Sequence, residues 1–175
     1  MPSDGRLPKR RSVRLRAFDY ARPGAYFVTI CTHARAPLFG DIAGGVMRLS
    51  PVGRIVSEEW ARTQLVRPSV RPDAFVVMPD HVHGIMVIAD DRAGIIRRVD
   101  PGARSGSGPG SVGAIVGQFK AAVTKRINAG WPARRGMVWQ RGYYEHVIRN
   151  RASLDRIRRY IAANPSRWEP PSSNP

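Results

Sequence analysis

Two histidines separated by one apolar residue, His81 and His83, sit in the segment MPDHVHGIMVI, between stretches that read as buried strands. Successive side chains of a strand point to opposite faces, so the two imidazoles share a face while Val82 points to the core. Imidazole is a common ligand of divalent metals, and neighbours on one face can converge on a single ion. Taken alone, H-V-H is a weak signal, because two polar residues at a solvated strand end give the same pattern.

A second set stands in LDRIRRYIAANP, residues 154 to 165. Tyr160 and Asn164 are four apart, which on a helix advancing roughly 100° per residue leaves them about 40° apart on one side. Leu154, Ile157 and Ile161 form the adjoining apolar stripe, so Tyr160 and Asn164 lie at the margin of the buried face. A tyrosine at a core edge and an asparagine ending a helix explain this segment equally well.

Taken together, the two sets describe one kind of site. A tyrosine hydroxyl titrates near ~10 and is a poor nucleophile at neutral pH unless its target is activated. A divalent cation on a scissile phosphate makes the phosphorus more electrophilic and neutralises developing charge. Two neutral imidazoles and a neutral amide oxygen add no negative charge to such a cation, and they leave positions open for phosphate oxygens. No nucleotide-triphosphate motif occurs, and attack by a tyrosine, which conserves the bond energy in a phosphotyrosine, needs none.

The composition agrees with a polyanionic partner. Among 175 residues, 29 Lys and Arg stand against 13 Asp and Glu, a formal net charge of +16. Such an excess points first to nucleic acid and second to an anionic membrane surface. Lys9, Lys120 and Lys125 are the only lysines; arginine pairs bidentately with phosphate and stacks on bases, although GC-rich coding also favours it. The 42% hydrophobic content suffices for a core, and one domain is expected at this length. The single cysteine, Cys31, excludes a disulfide framework and reads as a buried thiol in the apolar run AYFVTICT. With no apolar h-region at the N-terminus and no membrane-spanning run, a cytoplasmic, nucleoid-associated protein is expected.

The elements that must position these groups follow from periodicity and punctuation. Residues 1–22, with seven basic side chains, read as a basic arm; residues 23–168 read as the catalytic domain, and 169–175 as a disordered tail. A strand is expected over 25–32, then a hairpin within 38–49 turning at Gly44-Gly45. Ser50-Pro51 reads as an N-cap and first helical residue, opening a helix with Val52, Ile55, Val56 and Trp60 on one face. Strands are expected over 74–78 and 83–89, a mobile Gly/Ser/Pro loop over 100–111, and a helix over 112–128. Another strand is expected over 137–148 and a last helix over 152–163, stopped at Asn164-Pro165. The order is α+β, a ferredoxin-like (RRM-like) βαββαβ antiparallel sheet with an inserted β-hairpin and an appended C-terminal helix that carries the nucleophile.

MPDHVHGIMVI followed far downstream by RRYIAANP resembles the HUH single-tyrosine transposases, most closely the REP-associated tyrosine transposases. VWQRGYYEHVIRN, residues 138 to 150, resembles the strand that precedes the family's tyrosine helix, and the likeness spans roughly residues 20 to 168. It implies His81 and His83 as metal ligands, Tyr160 as nucleophile and Asn164 as third ligand, with glutamine at the Asn164 position in related insertion-sequence enzymes. It further implies Mg²⁺ or Mn²⁺ as cofactor. The implied substrate is a single-stranded DNA hairpin with a flanking recognition sequence, cut through a 5′-phosphotyrosine. Both a monomer and a homodimer with the tyrosine helix supplied in trans occur among such proteins.

Other residues compete for roles. Tyr143 and Tyr144 stand beside His146 on the expected strand, but neither has a ligand-type residue at helical spacing; they read as base-stacking or core residues. His33 reads as a surface residue. Lys120, Arg141, Arg149, Arg156, Arg158, Arg159 and, in the arm, Arg10 and Arg11 are the candidate DNA contacts. The chief alternative is a non-catalytic nucleic-acid-binding module with an RRM-like sheet. It accounts for charge and fold but gives no reason for the His81/His83 and Tyr160/Asn164 pairs, and the aromatic RGF-type strand of that module is absent.

Overall fold

A computed structural model describes residues 22–89, 110–131 and 136–169. The basic arm with Arg10 and Arg11, most of the Gly/Ser/Pro loop and nearly all of the tail lie outside the described residues.

Strand β1 (Gly24–Cys31) is built from the aromatic and β-branched run that favours a pleated, packed surface. Strands β2 (Gly40–Ala43) and β3 (Val46–Leu49) form a separate hairpin. Gly44 and Gly45 turn it with φ of 58° and 74°, the left-handed pair that a two-residue hairpin loop requires. Helix α1 (Pro51–Val66) opens as its sequence announces: Ser50 Oγ accepts the Gly53 N–H at 3.0 Å, and Pro51 occupies the first turn, where its missing N–H costs nothing.

Strands β4 (Val70–Met78) and β5 (His81–Ile88) follow, then α2 (Val112–Gly130), β6 (Tyr144–Ile148) and α3 (Arg151–Ala162). Ser111 and Asn150 cap the two later helices with side-chain oxygens. The sheet order is β4-β5-β1-β6 with every pairing antiparallel, which is the ferredoxin-like arrangement. No helix among the described residues is long and apolar enough to cross a membrane.

One face of the sheet carries the main core. Tyr26, Val28, Ile30, Val82 and Met86 pack there against Val56 and Trp60 of α1 and Ile115, Phe119 and Val123 of α2. Among the described residues, the other face is covered in part by α3, through a smaller cluster of Phe27, Ile85, Ile148 and Ile161 with Leu154 and Ile157 at its rim.

Three expectations are corrected. The second strand of the central pair begins at His81 rather than residue 83, so both histidines are in the ladder, opposite Cys31 and Thr29 of β1. The expected strand over 137–148 is regular only from Tyr144; before it, Trp139 forms a single bridge to Thr32, and the carbonyls of Gln140 and Gly142 accept from Lys120 instead of a neighbouring strand. Cys31 is half-buried rather than buried, because it lies on the thinly covered face, where its Sγ accepts from Arg35 Nη1 at 2.9 Å.

Candidate active site

The alternation of β5 sends Val82 into the main core, fully buried, and turns His81 and His83 to the face that α3 covers. Both imidazoles are 6% exposed, so neither is a solvated strand-end residue. Their Nε2 atoms face each other at 3.0 Å. From the far end of the chain, α3 brings the Tyr160 hydroxyl to 3.3 Å from His83 Nε2. Residues 77 positions apart in sequence thus place three donor atoms around one point. Tyr160 is 44% exposed, with its ring edge-on to Phe27, so its hydroxyl sits at a buried imidazole while solvent still reaches the residue.

The outer atoms of both imidazoles are held. Asp80 Oδ1 lies 2.6 Å from His81 Nδ1; a carboxylate can only accept, so His81 carries its proton on Nδ1 and presents a lone pair at Nε2. Thr29 Oγ1 lies 2.8 Å from His83 Nδ1, and a hydroxyl can either donate or accept. One rotamer of that hydroxyl leaves the His83 proton on Nε2, where it bridges to His81. The other draws the proton to Nδ1, and then two lone pairs oppose each other at 3.0 Å, an arrangement that a cation, or a proton donated by the Tyr160 hydroxyl at 3.3 Å, relieves. Burial pushes the His83 imidazole down to about 3, with the charges of His81 and Arg35 adding to the shift and Asp80 partly opposing it. His83 is therefore neutral near pH 7, the form a metal needs.

The donor set fits a divalent ion. With metal–nitrogen bonds of about 2.1 Å, two nitrogens 3.0 Å apart subtend an angle of roughly 90°, that of adjacent ligands in an octahedron. An imidazole fixed by a carboxylate through its other nitrogen is also the usual arrangement of a metal-binding histidine. Among the described residues no group of three or more His, Cys, Asp or Glu could hold a metal, so other atoms must complete the shell. Asn164 lies half-buried one turn beyond Tyr160, and its side chain makes no capping hydrogen bond to the 3-10 turn it precedes. Among the described residues, no hydrogen bond links its amide to either imidazole.

The remaining candidates separate by their partners. Arg158 is bound to Asp73 of β4 at 2.6 Å and to Asp155 at 3.2 Å, so it fastens α3 to the sheet. Lys120 is half-buried, its ammonium donating to the carbonyls of Gln140 and Gly142, and burial pushes its pKa down. Both are occupied by the fold. Arg141, Arg149, Arg156 and Arg159 are exposed and form no ion pair among the described residues. Tyr143 packs against the main core and donates to Glu145 at 2.9 Å, whereas Tyr144 stands 53% exposed on the histidine face, edge-on to Phe27. His33 is exposed.

Sequence reasoning did not find Asp80, Thr29, Arg35 or Trp168, whose ring lies 5.7 Å from that of His81. Asp80 adjoins the histidines in MPDHVHG and could have been noted. The others reach the site only through strand pairing or the C-terminal turn.

No family model matches the chain. An uncharacterized protein of Haemophilus influenzae is 38% identical over 168 residues, covering 91% of this chain and 90% of that protein. The chain belongs to that protein's family. Among solved structures, a REP-associated tyrosine transposase bound to a REP hairpin superposes with a TM-score of 0.58 at 20% identity, covering 83% of this chain and 68% of that one. The chain therefore has the fold of a REP-associated tyrosine transposase.

Proposed function

We propose that this family member is a metal-dependent endonuclease and strand transferase of single-stranded DNA, transposase-like, acting on hairpins through a covalent 5′-phosphotyrosine. The observation that carries the reading is the meeting of His81 Nε2, His83 Nε2 and the Tyr160 hydroxyl from β5 and α3. Binding of a hairpin by the structural neighbour, and the net charge of +16 here, support a DNA hairpin as substrate. Arg141, Arg149, Arg156 and Arg159 are exposed cations near β6 and α3 that could meet its phosphates; Arg10 and Arg11 of the arm would add to them.

His81 and His83 would hold Mg²⁺ or Mn²⁺, with the Asn164 amide as the proposed third ligand. When bound, the cation would polarise the scissile phosphate and neutralise charge on its oxygens. Tyr160 Oη attacks phosphorus; the Oη–P bond forms, the P–O3′ bond breaks, and the proton lost by the tyrosine is balanced by one gained at the free 3′-hydroxyl. Reversal with a second 3′-hydroxyl rejoins the strand without external energy. Tyr160 reaches the histidine pair of its own chain, which supports a site complete within one copy.

The test uses the full chain and a 3′-labelled hairpin oligonucleotide with a single-stranded flank, in Mg²⁺ or Mn²⁺. A covalent adduct should form in the wild type and be absent in Tyr160→Phe, His81→Ala and His83→Ala. Tyr160→Phe loses one 3.3 Å contact and keeps the Phe27 ring contact, so it should cost less than about 1 kcal/mol and shift unfolding by less than about 4 °C. An adduct that survives in Tyr160→Phe but vanishes in Tyr144→Phe would reassign the nucleophile. Full cleavage in excess chelator would overturn the metal. Hairpin binding with no adduct under any condition would leave the non-catalytic module.

A further inference from the structure

The 3-10 turn after β1 spans His33–Arg35, and it contains the two non-glycine residues of positive φ among those described, Ala34 at 52° and Arg35 at 56°. A non-glycine residue in the left-handed region is sterically disfavoured and persists only where its surroundings hold it there. Two in succession on an exposed turn need a reason, and no burial supplies one, since both residues are exposed.

The reason lies in what Arg35 grips. Its Nε stands 2.8 Å from Asp80 Oδ2 in an ion pair and its Nη1 donates to Cys31 Sγ at 2.9 Å, so the guanidinium is held at two points. Asp80 is 1% exposed, and its other oxygen is the one that holds His81 Nδ1 at 2.6 Å. The Arg35–Asp80 contact is an ion pair whose N–H is not aligned for a hydrogen bond, and it is the only compensation that Oδ2 receives among the described residues. A buried carboxylate with one oxygen uncompensated would turn or draw in water. Either change would release the His81 ring.

We propose that Arg35 is a positioning residue of the active site: from its strained turn it locks the Asp80 carboxylate, and through it the orientation and tautomer of His81. This rests on the metal reading of the histidine pair for its consequence, but not for its geometry. Arg35 acts by setting its charge against Oδ2 while Nη1 is tied to Cys31 Sγ, a two-point attachment of a rigid plane that a lysine ammonium cannot reproduce.

The variants Arg35→Asn and Arg35→Lys of the full chain test it, since asparagine tolerates the left-handed region and its short amide replaces the guanidinium while relieving strain. Nitrogen-15 shifts of the His81 ring, read without metal, should show the Nδ1–H tautomer in the wild type and a mixture of tautomers in both variants. The unfolding temperature of Arg35→Asn in chelator should fall, because a buried carboxylate that loses its ion pair costs more than the relieved backbone strain returns. Its Mn²⁺ affinity, by calorimetry without DNA, should fall about tenfold or more, as for other outer partners of metal-binding histidines. An unchanged His81 tautomer in Arg35→Asn overturns the proposal, as does a lower unfolding temperature with the tautomer retained, which would make Arg35 merely structural. A wild type that binds no Mn²⁺ overturns the metal reading instead, and the tautomer measurement still decides for or against Arg35. Full recovery of tautomer in Arg35→Lys would show that charge alone suffices and would refute the clamp.

Discussion

Gly84, the residue after the histidine pair, faces the main core with no room for a side chain. A Cβ built on it would lie 2.4 and 2.6 Å from two ring carbons of Trp60 and 3.1 Å from Phe75. Trp60 has nowhere to retreat. It is 4% exposed, stacked on Phe75 with ring planes 8° apart, and met edge-on by Phe119. Relieving a 2.4 Å contact requires the indole and Gly84 to separate by about 1 Å, which in a packed core typically costs about 1–3 kcal/mol. For a chain of this size that becomes a fall of roughly 2–12 °C in unfolding temperature for Gly84→Ala. Thermal unfolding followed by near-ultraviolet circular dichroism reads it through the indole itself. The double variant Gly84→Ala with Trp60→Phe should recover part of the loss, as a coupling of about 0.5–3 kcal/mol between contacting sites. An unfolding temperature within 1 °C of the wild type, or perfectly additive variants, would refute the claim that glycine is there to admit the indole.

Two further outcomes are expected. Asp73 is held below its ordinary range chiefly by its hydrogen bond from Arg158, so the tie between α3 and β4 is present above the unfolded carboxylate value near ~4 and is lost as pH falls through the lower folded value. The stability gap between wild type and Asp73→Asn should accordingly hold steady above pH ~5 and narrow as pH falls below about 4; a gap that stays constant there would place the effect elsewhere than in ionisation. For DNA, log affinity for a flanked hairpin should fall linearly with log salt by about 0.7 per phosphate contact on the single strand. Removing residues 1–16 should lower that slope while leaving cleavage at saturating DNA unchanged, and a salt-insensitive affinity would return the arginines to a solvated face.

How far the sequence reached depended on whether the determinant was local. The Gly44-Gly45 turn and the Ser50-Pro51 helix start act within a few residues, and each stands where its chemistry puts it. The alternation of His81, Val82 and His83 was legible in the same way. The stop at Asn164-Pro165 is only near its mark: α3 ends at Ala162, and Asn164 keeps helical φ and ψ of −62° and −45° and leads into a 3-10 turn instead of leaving the helical region before the proline. That Tyr160 meets His83 was not contained in either spacing; it came from the family resemblance, because it depends on how α3 crosses the sheet. The stretch from Met137 to Tyr143 misled because Trp139 and Tyr143 are apolar enough for a strand, yet they pack into the core from a loop whose carbonyls Lys120 holds. Thr29 and Arg35 escaped notice because a hydroxyl on a strand and an arginine in a turn acquire meaning only from their tertiary partners.

The sheet divides two tasks between its faces. The face under α1 and α2 buries the large aromatic and aliphatic cluster and sets the position of the β5 backbone, hence of the histidines. Tyr160, in contrast, is placed by the smaller cluster around Ile161 and by the Asp73–Arg158 pair. An element fastened by few apolar contacts and an ion pair near the surface opens at lower free energy than the core beneath it. The nucleophile should therefore be the mobile partner and the histidine pair the fixed one. Under the proposed chemistry, in which Tyr160 would attack a phosphate and stay attached to a displaced strand, that asymmetry fits: α3 would move with its covalent load while the histidine pair stays in place. Hydrogen exchange should find the α3 amides opening well before those of β5, and equal protection of the two elements would contradict this division.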